Sequence, residues 1–193
     1  MRSSGQHVLG IVLGAVLCVV GAGALFASDG PLVVGVVFLV LGLVFAGNGA
    51  RHLLARSAFE QLEFTALRPV ALGGTAELIL SLIPKRPLTL TPGGSKVTLT
   101  CTEKAVYSAG TSSRTYTDVL LTQDQPLELP ALLSQPFEQR LTVAVPPHLP
   151  PTWVGKHNSF VTEVAVRVDI DGWPDLVLQT ELEVLPELEA KSG

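Results

Sequence analysis

Two uncharged apolar blocks near the start of the chain, Val8 to Ala27 and Leu32 to Ala46, separated only by Ser28-Asp29-Gly30-Pro31, constrain the fold more than any other feature. Gly and Pro break a helix and Asp seeks water, so the four residues read as a turn between two helices. At 1.5 Å rise per residue the first block gives a helix of roughly 30 Å, the thickness of a bilayer core. The second is shorter, reaches further if extended through Gly47, Asn48 and Gly49, and fits with modest tilt or thinning. The expectation is a transmembrane hairpin over residues 1–56, with helices at about 8–27 and 32–50. Arg2 flanks the first helix, Arg51 and Arg56 flank the second, and the turn carries only Asp29. By the positive-inside rule this predicts a multi-pass integral membrane protein with both termini in the cytoplasm. A cleaved signal peptide ending near Ala22-Gly23-Ala24 is the alternative for the first block.

Small residues recur at spacings of three, four and seven in both blocks. Gly10, Gly14, Cys18 and Gly21 fall on one side of the first helix, Gly35, Gly42, Ala46 and Gly49 on one side of the second. Such stripes let helix backbones approach closely, and packing within the hairpin is preferred over a self-association face. Neither block holds an ionisable residue, which argues against an ion pathway.

After Arg56 the pattern changes to period two, the signature of half-buried strands. Leu78, Leu80 and Leu82 alternate with Glu77, Ile79 and Ser81; Val97, Leu99 and Cys101 alternate with Thr98 and Thr100. Phe160, Thr162, Val164, Val166, Val168 and Ile170 share a face opposite Glu163, Arg167 and Asp169, and Leu176, Leu178, Leu182 and Val184 repeat the scheme. Asp171-Gly172-Trp173-Pro174-Asp175 joins the last two runs as a hairpin turn. Leu141, Val143 and Val145 supply another strand. Residues 57–186 are expected to form a β-sandwich of about seven strands, followed by a polar tail at 187–193.

Of 13 Lys and Arg residues ten follow Arg56, against sixteen of the 17 acids. An acidic domain without a basic cluster repels phosphate backbones, so no nucleic acid is expected as partner. Cys18 and Cys101 give no disulfide framework. His7, His52, His148 and His157 match no metal-ligand spacing, and Ser95, Ser112 and Ser113 lie outside any nucleophile elbow. Pro92-Gly93-Gly94-Ser95-Lys96 lacks the spacing of a phosphate loop and reads as a hairpin connection. Asp169, Asp171 and Asp175 could suggest calcium, but Gly172 and Pro174 interrupt them and no bidentate Glu follows, so a turn is preferred. No catalysis, cofactor, metal or small-molecule substrate is inferred.

The run Phe137-Glu138-Gln139-Arg140-Leu141-Thr142-Val143-Ala144-Val145-Pro146, then Pro150-Pro151-Thr152-Trp153-Val154-Gly155, then Asp169-Ile170-Asp171-Gly172-Trp173-Pro174-Asp175, resembles the arrestin-like superfamily. The resemblance implies a single immunoglobulin-like sandwich used as an adaptor for other proteins, often membrane proteins. No counterpart of the buried charged cluster of the receptor-binding members is present. Trp153, Gly155, Trp173, Pro174 and Asp175 are the candidate interaction loops, although each Trp beside a strand is first expected to cap the core. The functional expectation is a protein-interaction module anchored in the lipid bilayer, with an unidentified protein partner. The alternative is an accessory subunit of a transport or secretion complex that assembles through its helices.

Overall fold

The computed structural model describes residues 12–20, 22, 32–109 and 112–186. They form two compact units, the first holding the helices and the turn Gly172–Asp175, the second running over Phe59–Asp171 and from Leu176 onward.

In the first unit, residues 12–20 are helical (α1) and Leu32–Ser57 form a 26-residue helix (α2). A Cβ on Gly14 would lie 2.5 Å from the Ala46 nitrogen, and one on Gly42 would lie 2.6 Å from Cys18 Sγ. With Cys18 Sγ also 3.9 Å from the Leu39 carbonyl, the contact moves down α2 as it moves up α1, so the helices run antiparallel. Only a hydrogen on Gly14 and Gly42 permits this approach. Gly35 is buried too; Gly10 and Gly21, and the surroundings of Gly49, lie outside the described residues.

Among the described residues no helix is long and apolar enough to cross a membrane. The uncharged apolar run Leu32–Ala46 reaches about 22 Å at 1.5 Å per residue, short of a hydrocarbon core of about 30 Å. Beyond it α2 continues through Asn48, Arg51, His52 and Arg56. The expected transmembrane hairpin over residues 1–56, and with it the multi-pass membrane localisation, is corrected to an antiparallel pair of helices joined by close backbone contact.

The second unit is all β. Its strands are β1 (Phe59–Ala66), β2 (Val70–Ala71), β3 (Thr75–Pro84), β4 (Leu88–Thr89), β5 (Lys96–Ala109), β6 (Ser112–Pro126), β7 (Leu132–Leu133), β8 (Phe137–Ala144), β9 (Trp153–Val154), β10 (Asn158–Val168), β11 (Leu176–Leu182) and β12 (Val184–Leu185). One sheet has the order β1-β3-β8, and the other β11-β10-β5-β6 with β9 beside β10. Two small pairs, parallel β12-β2 and antiparallel β4-β7, close the ends.

Alternation decides which face of each sheet is buried. Leu78, Leu80 and Leu82 of β3 are fully buried and so are Val164, Val166 and Val168 of β10, while intervening residues keep some exposure. Leu99 and Cys101 of β5, Leu176 and Leu182 of β11, and Val143 of β8 complete the core. Burying each such Val or Leu contributes about 1.5–3 kcal/mol. By comparison the exposed Arg68–Glu77 ion pair, at 3.1 Å, contributes about 0–1 kcal/mol. The core, not surface charge, holds the sandwich.

Candidate interaction surface

The segment from Pro150 to Gly155 is fixed by Thr152. Its amide donates to the Val184 carbonyl at 2.8 Å, its hydroxyl donates to the Leu182 carbonyl at 3.1 Å, and that same oxygen accepts from the Val184 amide at 2.9 Å. Thr152 thus ties the turn to the β11–β12 junction. Sequence reasoning overlooked it, although a Thr after two prolines at the entry to a strand is a usable signal, because a hydroxyl there both donates and accepts.

Past this anchor β9 pairs with the start of β10, Trp153 opposite Phe160 and Val154 opposite Ser159. The Gly155 amide donates to the Asn158 carbonyl at 2.8 Å and closes the turn. Trp153 does not cap the core as expected: it is 52% exposed, and its indole lies on Gly155, where a Cβ would collide with the ring. Val154 is 77% exposed. The register continues across the sheet, so Trp153, Phe160, Glu103 and Asp118 form one cross-strand row. Asn158 Nδ2 donates to Glu103 Oε1 at 3.1 Å and holds that carboxylate in the row. The outcome is an apolar ledge beside the fixed Glu103 carboxylate.

Trp173, Pro174 and Asp175 belong to the first unit. Their turn begins at Gly172, whose φ of 65° lies in the left-handed region open to glycine. Trp173 is half-buried, and its Nε1 donates to the Leu54 carbonyl at 3.1 Å. That carbonyl belongs to the last turn of α2, and Ser57 Oγ donates to it as well at 2.7 Å. Trp173 therefore caps a helix of its own unit.

Asp169 makes local contacts. The Asp169 carboxylate accepts from Thr91 Oγ1 at 2.7 Å and the Asp169 amide donates to Ser95 Oγ at 3.2 Å. No cluster of His, Cys, Asp and Glu able to hold a metal occurs among the described residues. Pro92 to Gly94 form a turn, with Gly93 at φ 70°, but it leads from β4 into β5, which pair with different strands. It is a crossover between sheets, which corrects the hairpin expectation. His148 and His157 are exposed. Burial pushes the Cys101 thiol pKa up, opposed by the Thr162 hydroxyl beside it.

The longest feature of the domain is the β5–β6 hairpin, paired from Lys96↔Pro126 to Ala109↔Ser112. Beyond Cys101 it continues with Val106, Tyr107, Tyr116, Val119 and Leu120 all exposed. Leu120 is the extra residue of a bulge, since Cys101 pairs with Leu121 and Thr102 with Val119.

No family model and no curated protein matches the chain. Among solved structures it is similar to the sporulation control protein Spo0M from Bacillus subtilis, at 14% identity and a TM-score of 0.44, over 64% of this chain and 48% of that one. The chain thus spans about half the length of that protein.

Proposed function

We propose that the β domain is a protein-interaction module that acts without catalysis or a cofactor of its own. The observation that carries this reading is the ledge of β9: a Trp more than half exposed and a Val more exposed still, on a turn that Thr152 pins at three points. A rigid, solvent-facing Trp is the residue type that most often dominates binding energy at protein interfaces. The resemblance of Phe137 to Asp175 to arrestin-like adaptors supports the same reading.

A photo-activatable residue at Val154 in the full chain tests it. Cross-linking in cells is expected to yield a discrete protein adduct. Trp153→Ala should lower the partner's affinity by about 30-fold, the effect of losing a contact of about 2 kcal/mol. An adduct pattern that ignores Trp153→Ala, or no adduct at all, rejects the reading.

A further inference from the structure

Among the described residues β6 is the outer strand of its sheet, paired with β5 alone. Residues 114–120 are all exposed. In an antiparallel ladder the backbone groups of successive residues point alternately to one neighbour and to the other. The Val106 amide donates to the His157 carbonyl at 2.6 Å, so even-numbered β5 residues face β10 and odd-numbered ones face β6. The bond from the Leu127 amide to the Ser95 carbonyl, at 3.1 Å, agrees with this parity. Glu103, Ala105 and Tyr107 therefore exchange bonds with their partners Asp118, Tyr116 and Arg114. The backbone groups of Ser113, Thr115, Thr117 and Val119 point away from the sheet, toward the free edge.

An open strand of this length is a template for another strand, and which strand fits is set by side-chain pairing. If a second copy lies antiparallel about a two-fold axis at Tyr116, Thr115 meets Thr117 and Ser113 meets Val119. These are the residues whose backbone groups are outward, so about eight hydrogen bonds can form. Arg114 then stands opposite Asp118 twice, and Tyr116 opposite its own copy. All of these are non-hydrogen-bonded pairs, the kind in which side chains approach most closely. Shifting the axis by one residue, to Thr117, sets Asp118 against Tyr116 and leaves Arg114 facing Leu120. The bulge at Leu120 reverses the parity beyond it and ends the pairing there, where the matched register also ends.

We propose that β6 is the interface of a homodimer, in which two copies of this chain pair antiparallel about Tyr116 and join their sheets into one. The proposal deepens the protein-interaction reading by naming a second copy as one partner, at an edge separate from the β9 ledge.

Sedimentation of the 193-residue chain over a concentration series tests the dimer. The expected mass is twice 20.4 kDa at high concentration. Arg114→Asp and Asp118→Arg each place two like-charge pairs at the interface and should weaken dimerisation about 10-fold or more. The double variant restores the pairing in reverse and should recover the dimer, which rules out misfolding as the cause of the single losses. Tyr116→Cys, in a Cys18→Ser background, should form a disulfide-linked dimer on mild oxidation, since paired Cα atoms here lie within about 4.5 Å. A monomer at every concentration, single reversals without effect, or a double variant as weak as the singles overturns the homodimer. A Tyr116→Cys chain that instead couples to a different protein also overturns it. The Val154 cross-link is read separately, so loss of the dimer with retention of that adduct leaves the interaction reading intact.

Discussion

At the scale of single residues, a few contacts decide more than composition does. Gly155 is needed because the Trp153 indole occupies the space of a Cβ. Gly155→Ala should push the ring off the turn, and tryptophan fluorescence is expected to shift to the red while the thermal midpoint changes little. Asp124 presents a different case. Its carboxylate accepts from Lys96 Nζ at 2.6 Å and from Thr98 Oγ1 at 2.6 Å, and these bonds hold its pKa below the usual carboxylate value, the Lys96 bond contributing most. A depressed folded pKa stabilises the fold above the unfolded value of about 3.9 and loses that effect as pH falls through the folded pKa. The difference in thermal midpoint between the native chain and Asp124→Asn should be constant from about pH 7 to pH 5 and vanish in more acidic solution. A difference that grows on acidification would contradict the assignment. Trp173 shows the limit of reading a residue by type: two tryptophans in similar turns turn out as an exposed ledge and a helix cap.

At the scale of elements, register is the main result. Val166 of β10 faces Val97 of β5 and Leu178 of β11 and is fully buried, whereas Glu163 is paired with Thr100 and Glu181 and keeps some exposure. Val166→Asp buries a charge without a partner, so the domain is expected not to fold. Glu163→Ala should alter stability by less than about 0.5 kcal/mol, helped by relief from Glu181 opposite. Circular dichroism melts in the reverse order would mean that the register has slipped by one residue, which exchanges the faces. In the helical unit the corresponding site is Gly14. Leu at this position cannot coexist with the Ala46 backbone 2.5 Å from the Cβ position, so α1 and α2 must separate. The half-buried Cys18 thiol should then react faster with a maleimide in Gly14→Leu than in the native chain.

At the scale of the whole molecule, the sandwich is a unit by itself, with its own buried core between Phe59 and Leu185. A fragment beginning at Phe59 is of ordinary domain size and is expected to unfold in one cooperative step. Cys101 reports on that step, being fully buried with its pKa raised by burial. A thiol reagent at neutral pH should label it only in denaturant, with a midpoint that coincides with the loss of β-sheet signal. Labelling of Cys101 under native conditions would show that the core opens locally.

The strands that bury one face were legible in the sequence, because period-two alternation is the direct imprint of a sheet with one dry side. The inward faces of β3, β5, β8, β10 and β11 and the turn at Gly172 follow from it residue by residue. Strand β6 was not legible: Arg114 to Pro126 is exposed on both faces over most of its length, so nothing in it alternates, and among the described residues pairing with β5 alone makes it a strand. The two-residue strands β2, β4, β7 and β12 were hidden for a similar reason, as they exist through partners distant in sequence. In the helical segment, hydropathy located α2 but overstated its apolar reach, because the polar continuation from Asn48 was counted with the run that ends at Ala46. The order of residues thus determined where apolar faces lie and where turns interrupt them. Which strand stands at an edge, which Trp meets solvent and which carbonyl a side chain caps were decided only by tertiary pairing, since each depends on a neighbour many residues away that no local pattern encodes.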